Sequence, residues 1–522
     1  MHYKVVILAA GRGTRLGDYT KDVNKAILPV GFKAVISHII EKFPKDIEIV
    51  IAIGHKKEIL KEYLGISHPD RKISYVEIDR VEGIGSGPGY SLLSCKKHLQ
   101  CPFVLSTADT MVLEDIPKPA LNWLGVAPVE DTARFNSVKI KDGFVTDMKD
   151  KIKCDNTHAF IGLCGIYDYK KFWLVLSSDK ALINNELQLS NGLKELIKNK
   201  LGGVEFSWFD TGDIDNFTKT CRYFNKETED FDFSKTEEFI YFIGDRIIKY
   251  FKDPEIIEKR VKRAKKLQGF VPEIEKVSTH FYSYKKIPGI VMYNVLDDGL
   301  ARSFFNFMHV FFWQRIILDE NKKEEFKKSC FKFYHDKTKK RVSNYFEFTK
   351  EKDKSSIVNG NTTPKLADLL AKINWKILTD GVPSRFHGDL QFDNVLVSEN
   401  KTNPFVLLDW RPDFAGLLDY GDIYYDLAKL YGGMILPYNL IKKNTFSYAQ
   451  DGNQVNFDVA SNYTLNSCRK IYEKFLIDNG YNLNKVRILT ALIFLNMSSL
   501  HKEPFNFLLH HLGKLELMRA LA

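Results

Sequence analysis

From Val5 to Thr107, short apolar runs alternate with stretches whose apolar positions recur at helical spacing. Val5–Ala10, Ile47–Gly54, Ile73–Ile78 and Pro102–Thr107 read as strands, and Ala34–Phe43, Lys56–Leu64 and Gly89–His98 as helices. Alternation at this spacing predicts an α/β domain, Rossmann-like, with a mostly parallel sheet and helices on both faces. Ligands then belong at the carboxyl ends of the strands. The pattern breaks at residues 226–235 (KETEDFDFSK), which are charged and lack helical periodicity, so a linker is expected there between domains 1–225 and 236–522. Beyond it, Phe239–Ile243 and Arg246–Phe251 flank a Gly244-Asp245 turn and predict a β-hairpin. A helix over Pro254–Leu267, a strand over Ile290–Leu296, and mainly helical sequence from Trp313 to Lys350 and from Ser461 onward complete a two-lobed α+β domain. Its small lobe is expected at 236–296 and its large lobe at 297–522.

Composition fits this division. A chain of 522 residues with 44% hydrophobic and 27% charged content is long and apolar enough for more than one core. The apolar run Ile488–Met497 contains Thr490 and Asn496 and is too short to cross a bilayer. Val5–Ala10 leads into Gly-Arg-Gly-Thr-Arg where a leader would carry a cleavage site, so no membrane insertion and a cytoplasmic location are expected. Seven cysteines without a CxxC pair argue for reduced thiols and against zinc. The net charge of +10 permits a nucleic-acid partner without requiring one. The densest basic run, Lys259–Lys266, shares its helix with Ile257, Val261 and Ala264 at helical spacing, which predicts a solvated basic face; no nucleic-acid partner is expected.

Chemistry enters first at the loop after Val5–Ile7, Leu8-Ala9-Ala10-Gly11-Arg12-Gly13-Thr14-Arg15-Leu16. Gly11 and Gly13 let backbone approach a phosphate chain, while Arg15 and Lys25 supply fixed positive charge. Asp109 stands just past an apolar strand and suits magnesium, which takes one or two carboxylates plus phosphate oxygens; a helix cap is the ordinary alternative. Gly83–Gly89, with Gly85 and Gly87, reads equally as a turn or as a backbone surface for a base. Together these strings resemble the sugar-phosphate nucleotidyltransferases, with LAAGxGTRL and a later lysine, although Asn24 precedes Lys25 where that family usually has proline. The resemblance implies that Leu8, Ala10, Gly11, Gly13, Gly85 and Gly87 bind a nucleotide. It also implies that Asp210 in Trp208-Phe209-Asp210-Thr211-Gly212 completes the metal site with Asp109, Asp213 and Asp215 being substitutes. Glu186 and Asn191 would meet the acceptor, Asn191 standing where an aspartate is common. Phosphocholine cytidylyltransferases share these features.

The second domain carries His387-Gly388-Asp389-Leu390-Gln391-Phe392-Asp393-Asn394 and then Val406-Leu407-Leu408-Asp409-Trp410. One carboxylate must receive a hydroxyl proton while an amide and a second carboxylate hold magnesium against phosphates. These strings resemble the aminoglycoside phosphotransferase and choline kinase family, which implies a protein-kinase-like fold. In it Asp389 is catalytic, Asn394 and Asp409 are metal ligands, and Asp426 braces the loop. Lys249 would hold ATP phosphates, oriented by Glu258 or its competitor Glu255, and Met292 and Tyr293 would meet adenine. Asp393 is expected to be structural or solvent-facing. Joined, the halves imply an enzyme using Mg2+, ATP and a second NTP (CTP or UTP). It would phosphorylate a small hydroxyl acceptor, a sugar at its anomeric position, and then nucleotidylate that phosphate for surface polysaccharide synthesis. The runner-up acceptor is choline or a related amino alcohol; another reading leaves one half as an inactive nucleotide-binding regulator.

Overall fold

The computed structural model describes the chain except residue Lys180, 225–236, residue Lys401, 438–440, 442–444 and 461–462. The linker expected at 226–235 therefore lies outside the described residues. By packing, Met1–Glu227, Lys235–Lys252 and Lys276–Ser283 form one unit, and Asp253–Glu275 and Tyr284–Ala522 another.

In the first unit, β1 (Lys4–Ala9), β2 (Ile49–Ile53), β3 (Ile73–Glu77) and β4 (Phe103–Thr107) pair in parallel in the order β3-β2-β1-β4. Helices α1 (Val35–Ile40), α2 (Lys57–Ser67) and α3 (Pro88–Ser94) connect them. The central strands β1 and β2 are almost wholly apolar because both faces are covered: Val5, Ile7, Ile49 and Ile51 belong to one core, Val6, Leu8, Val50 and Ala52 to the other. The parallel block ends at β4. From there β5 (Thr110–Val112) leaves the sheet, and β6 (Trp123–Pro128), β7 (Asn136–Lys141), β8 (Phe144–Asp150), β9 (His158–Ile166) and β10 (Gly202–Glu205) extend it. The full order is β3-β2-β1-β4-β9-β6-β10-β8-β7, with β9 antiparallel to β4 and β6. The strand β11 (Trp208–Asp210) pairs with β5 as a separate antiparallel ribbon, followed by α4 (Ile214–Phe224).

The expected hairpin forms as β12 (Glu238–Ile243) and β13 (Arg246–Phe251), in a sheet ordered β12-β13-β15-β14 with β14 (Ile274–Val277) and β15 (Phe281–Lys285). It packs with the first unit: the Tyr241 hydroxyl donates to the Ile27 carbonyl at 2.8 Å, and its ring lies 4.8 Å from that of Tyr63.

The second unit begins with α5 (Pro254–Lys266), capped by Asp253. The strand expected over Ile290–Leu296 is shorter. Only β16 (Ile290–Val291) is extended, and a 3-10 turn over Met292–Asn294 follows, because β16 has only the short edge Leu396–Val397 of the next hairpin to pair with. That hairpin is β17 (Val395–Val397) with β18 (Phe405–Leu407). Helices α6 (Glu320–Phe331) and α7 (Lys337–Thr349) are joined by a π-helical turn over Lys332–Asp336, and α8 (Ile423–Ile435) is buried along most of its length. No helix among the described residues is long and apolar enough to cross a membrane.

Candidate functional sites

In the first unit the loop after β1 is shaped by what must pack beneath it. Gly13 has φ +68°, and a Cβ there would stand 3.1 Å from Thr20 Cγ2 and 3.3 Å from Lys25 Cβ. A side chain at Gly11 would meet nothing within 4 Å, so the loop's outer face is open. Asn24 explains the departure from Pro-Lys. Its Nδ2 donates to the carbonyls of Ala9 (2.9 Å) and His55 (2.8 Å), and its Oδ1 caps the Ala26 N–H at 2.9 Å. Proline could make none of these bonds. They fix the 3-10 turn Lys25–Ile27 and aim Lys25 Nζ at Asp109 Oδ2, 2.5 Å away. Leu8 and Ala10 contribute main chain: their carbonyls accept from Ala108 N (3.2 Å) and His55 N (2.9 Å).

Strand register brings the second carboxylate in. Asp210 pairs with Thr110, and the Thr211 N–H and hydroxyl both donate to the Asp109 carbonyl, at 2.9 and 3.1 Å. A Cβ on Gly212 would lie 3.0 Å from Asp210 Oδ1, 3.2 Å from Asp109 Oδ2 and 3.2 Å from Arg15 Nη2. Two carboxylates and a guanidinium thus converge on one point that glycine keeps open. Burial raises the Asp109 carboxyl, but the Lys25 ammonium beside it prevails and holds it below its ordinary value. Asp210 is raised instead, by burial and by the Asp109 charge, despite hydrogen bonds from Gly212 N and Asn216. Such like-charge crowding is relieved by a cation between the two groups. Asp213 is engaged elsewhere, with Arg134 and Asn216.

A cavity of about 370 Å³ opens beside this loop at the ends of β2 and β3, lined by Arg12, His55, Ile78, Asp79 and Glu82. Gly85 and Gly87 serve close backbone packing: Gly85 N donates to Asn185 O at 2.7 Å, and a Cβ on Gly87 would lie 2.8 Å from that of Glu186. Glu186 accepts from Gln188 Nε2 (3.0 Å), and Asn191 Nδ2 donates to Ala181 O (2.9 Å) while its buried Oδ1 has no partner among the described residues. Neither shares a hydrogen bond or ion pair with Lys25, Asp109 or Asp210 among the described residues.

In the second unit the catalytic-loop motif is held by buried side chains. Asp426 accepts from His387 N (2.7 Å), Gly388 N (2.6 Å) and Trp313 Nε1 (3.3 Å), the bracing role its motif implied. His387 Nε2 meets the Leu408 carbonyl at 2.8 Å while its Nδ1 accepts from Asp389 N at 3.3 Å, an arrangement for a neutral imidazole. Asn394 Nδ2 donates to Asp389 O at 2.8 Å. Leu408 N donates to Asn394 O, so the β17–β18 hairpin delivers Asn394 and Asp409 from its paired ends. Asp409 holds φ +58°, in the left-handed region that aspartate enters more readily than most residues, with Arg260 Nη1 3.7 Å from its Oδ1. Asp389 Oδ1 lies 2.8 Å from Lys429 Nζ, and Lys429 overcomes the effect of burial to hold the carboxyl down at about 2.

Lys249 is buried on β13 opposite Ile240. Glu258 lies on the exposed face of α5, paired with Lys262, and Glu255 is paired with Lys259. Met292 is buried, and Tyr293 is half-buried within electrostatic range of Asp393. The solvated basic face expected of α5 is corrected. Arg263 is fully buried, its guanidinium over the Phe386 ring (3.9 Å) and donating to the carbonyls of Phe386 (2.5 Å), Arg411, His387 (3.4 Å) and Leu418 (3.3 Å). Helical spacing alone does not separate it from its solvated neighbours, because the loop it enters is distant in sequence. Lys429 was also missed, though a lone lysine in the apolar helix IYYDLAKLYGGMI is a readable signal.

Residues 5–116 match the family model of the MobA-like NTP transferase domain, and residues 344–448 match that of the Phosphotransferase enzyme family. The chain carries a nucleotidyltransferase domain followed by a phosphotransferase domain, as the motifs implied. It is similar to the Bifunctional protein GlmU of Methanococcus aeolicus, 27% identical over 217 residues that cover 40% of this chain and 51% of that one. It is similar also to the D-glycero-alpha-D-manno-heptose 1-phosphate guanylyltransferase of Campylobacter jejuni, 27% identical over 145 residues, 27% of this chain and 64% of that one. The solved CTP:phosphocholine cytidylyltransferase (LicC) of Streptococcus pneumoniae is 24% identical, covering 43% of this chain and 99% of that one, with a TM-score of 0.36. The chain spans about half the length of the GlmU proteins it matches.

Proposed function

We propose that this chain is a bifunctional transferase. Its second unit phosphorylates a hydroxyl of a small metabolite with ATP, and its first unit joins that phosphate to a nucleotide from a second NTP, releasing pyrophosphate. The observation that carries the reading is the presence of two separate carboxylate–cation constellations. Asp109, Asp210, Arg15 and Lys25 form one, and Asp389, Asn394 and Asp409 with Lys429 the other.

In the first, an acceptor phosphate oxygen attacks the α-phosphorus. The nucleophile is already an anion, so the protein's task is alignment and cancellation of charge, which Arg15 and Lys25 supply. Asp109 and Asp210 would hold Mg2+, which neutralises the phosphates when bound; two oxygen donors without histidine or cysteine suit that ion. In the second, Asp389 orients the acceptor hydroxyl and takes its proton, and Asn394 and Asp409 would hold Mg2+ against ATP. The name of the Campylobacter relative, a guanylyltransferase for a sugar 1-phosphate, supports a sugar phosphorylated at its anomeric oxygen.

The test is mass spectrometry of an incubation with Mg2+, ATP, CTP, UTP, GTP and pools of sugars, sugar phosphates, sugar acids and amino alcohols. A nucleotide-linked product is expected. Asp389→Asn should abolish its formation from free acceptor yet leave it intact from pre-phosphorylated acceptor, and Asp109→Ala should let the phosphorylated intermediate accumulate. Either variant silencing both reactions in folded protein would refute the two-site scheme.

A further inference from the structure

The start of α7, with the π-helical turn before it, meets α8 near Asp389, the Phe333 and Tyr425 rings lying 4.8 Å apart. Lys337 and Arg341, one turn apart on α7, share a face, as do Tyr425 and Lys429 on α8. Lys337 Nζ stands 4.1 Å over the Phe333 ring and 5.7 Å over Tyr425. The Arg411 guanidinium covers the same two rings, at 5.0 and 5.9 Å. Arg411 is tied to the catalytic loop: its N–H donates to His387 O at 3.0 Å, and a Cβ on Gly388 would meet its own Cβ at 2.5 Å. Arg341 lies within electrostatic range of Arg411 and Tyr425.

Three cations, Lys429, Lys337 and Arg411, therefore act on one carboxylate, and Arg341 adds its charge beside Arg411. Asp389 takes Lys429, whereas Lys337, Arg341 and Arg411 have no ion pair among the described residues. The Asp413 carboxylate, two residues from Arg411, is given to Lys259 at 2.9 Å, while its main-chain carbonyl accepts from Arg411 Nε at 3.1 Å. Crowding shows in Lys337, whose ammonium is driven well below its ordinary range by burial and by Arg411, Arg341 and Lys429. A protein gains nothing in stability from holding like charges this close, and an anion placed among them would relieve the repulsion. The π-helical turn Lys332–Asp336 directs Phe333 and Lys337 into this space, and such turns concentrate at functional sites. The cations stand on α7, α8 and the segment after Asp409.

We infer that the acceptor phosphorylated at Asp389 is itself an anion, a polyhydroxyl compound that already carries a phosphate or carboxylate gripped by Lys337, Arg341 and Arg411. This rests on the phosphotransferase reading above. The acceptor hydroxyl oxygen bonds to the γ-phosphorus of ATP, the bond from that phosphorus to the β–γ bridging oxygen breaks, ADP leaves, and the hydroxyl proton passes to Asp389. Cationic acceptors such as choline would meet repulsion.

The experiment measures ADP release by the full-length protein with neutral sugars, amino alcohols, sugar acids and sugar monophosphates. The last two classes separate a carboxylate from a phosphate. Sugar acids or sugar monophosphates are expected to be preferred. Lys337→Met should raise the acceptor KM about tenfold or more while the ATP KM stays within about twofold, and Lys337→Arg should restore most of the loss. Preference for a neutral or cationic acceptor would overturn the inference and leave the phosphotransferase reading standing. So would an ATP KM that rises with the acceptor KM, which would assign the cations to the γ-phosphate. No ADP from any class, in protein that binds ATP, would overturn the phosphotransferase reading and this inference with it.

Discussion

The two catalytic constellations are assembled by different means. Asp109 and Asp210 are placed by backbone: a strand end, a two-stranded ribbon in fixed register and the Thr211 N–H. The Asp389 loop is placed by side chains, with Asp426, His387 and Arg263 buried and spent on main-chain groups. Backbone pairing spreads the work over many bonds, each replaceable. Buried side chains concentrate it, so that losing one leaves several polar groups unpaired in a medium without water.

Arg263→Met tests that contrast most severely. Methionine fills much of the volume but leaves the carbonyls of Phe386, His387, Arg411 and Leu418 without their shared donor. At ~1–3 kcal/mol for a buried unpaired group, the second unit should lose about 3 kcal/mol or more, and phosphotransfer should fall about tenfold or more. Nucleotidyl transfer should stay within about twofold. Calorimetry alongside separate assays of the two reactions checks this; folded variant with unaltered phosphotransfer would show that Arg263 is packing only.

The pH response follows the same contrast, because two of the loop's braces titrate. Burial pushes His387 down to about 4, so between there and 6.5 the unfolded chain binds the extra proton and this group's stabilisation is lost as pH falls. Burial raises Asp426 to about 6, only partly opposed by the N–H groups of His387 and Gly388, so between 3.8 and 6 the folded state binds the extra proton and this group's contribution is lost as pH rises. Over pH 4–6 the two slopes oppose each other. Asp426→Asn removes one and should expose the other: its second-unit stability should drop by up to about 3 kcal/mol more than wild type on going from pH 6.5 to 4. Parallel melting profiles for the two proteins would refute the assignment.

How much of this was legible follows from how each part is built. The loop Leu8–Leu16 and the carboxylates at strand ends are written in contiguous strings, so apolar runs and punctuating glycines reveal them directly. The H-G-D-x4-N loop and Asp409 were equally plain, since one hairpin carries both. Arg263 on α5, the pair Lys337 and Arg341 on α7, and Arg411 in a loop come from three separate segments, and where they lie in the fold depends on packing that no local period encodes. Adjacent basic residues on one helix, Lys262 and Arg263, end up with opposite fates, one exposed and one buried. The shared packing of β12 and β13 with the first unit was hidden for the same reason: it depends on Tyr63 and Tyr241 meeting across a long stretch of sequence.

Glu258 gives the smallest expected effect and separates the motif-based reading from the geometry. As the analogue of a lysine-orienting glutamate, its loss should raise the ATP KM by a large factor, because Lys249 would lose its direction. In the structure its carboxylate is exposed and occupied by Lys262 one turn on, an arrangement that contributes little because water competes for both partners. Burial on α5 instead falls to Ile257, Arg263 and Ala264, one stripe of the helix on which Glu258 has no place. Glu258→Ala should therefore leave the ATP KM within about twofold, read from ADP release at saturating acceptor. A tenfold rise would mean that α5 turns to present Glu258 when nucleotide binds, and the exposed pair with Lys262 would then be a resting contact rather than its working one.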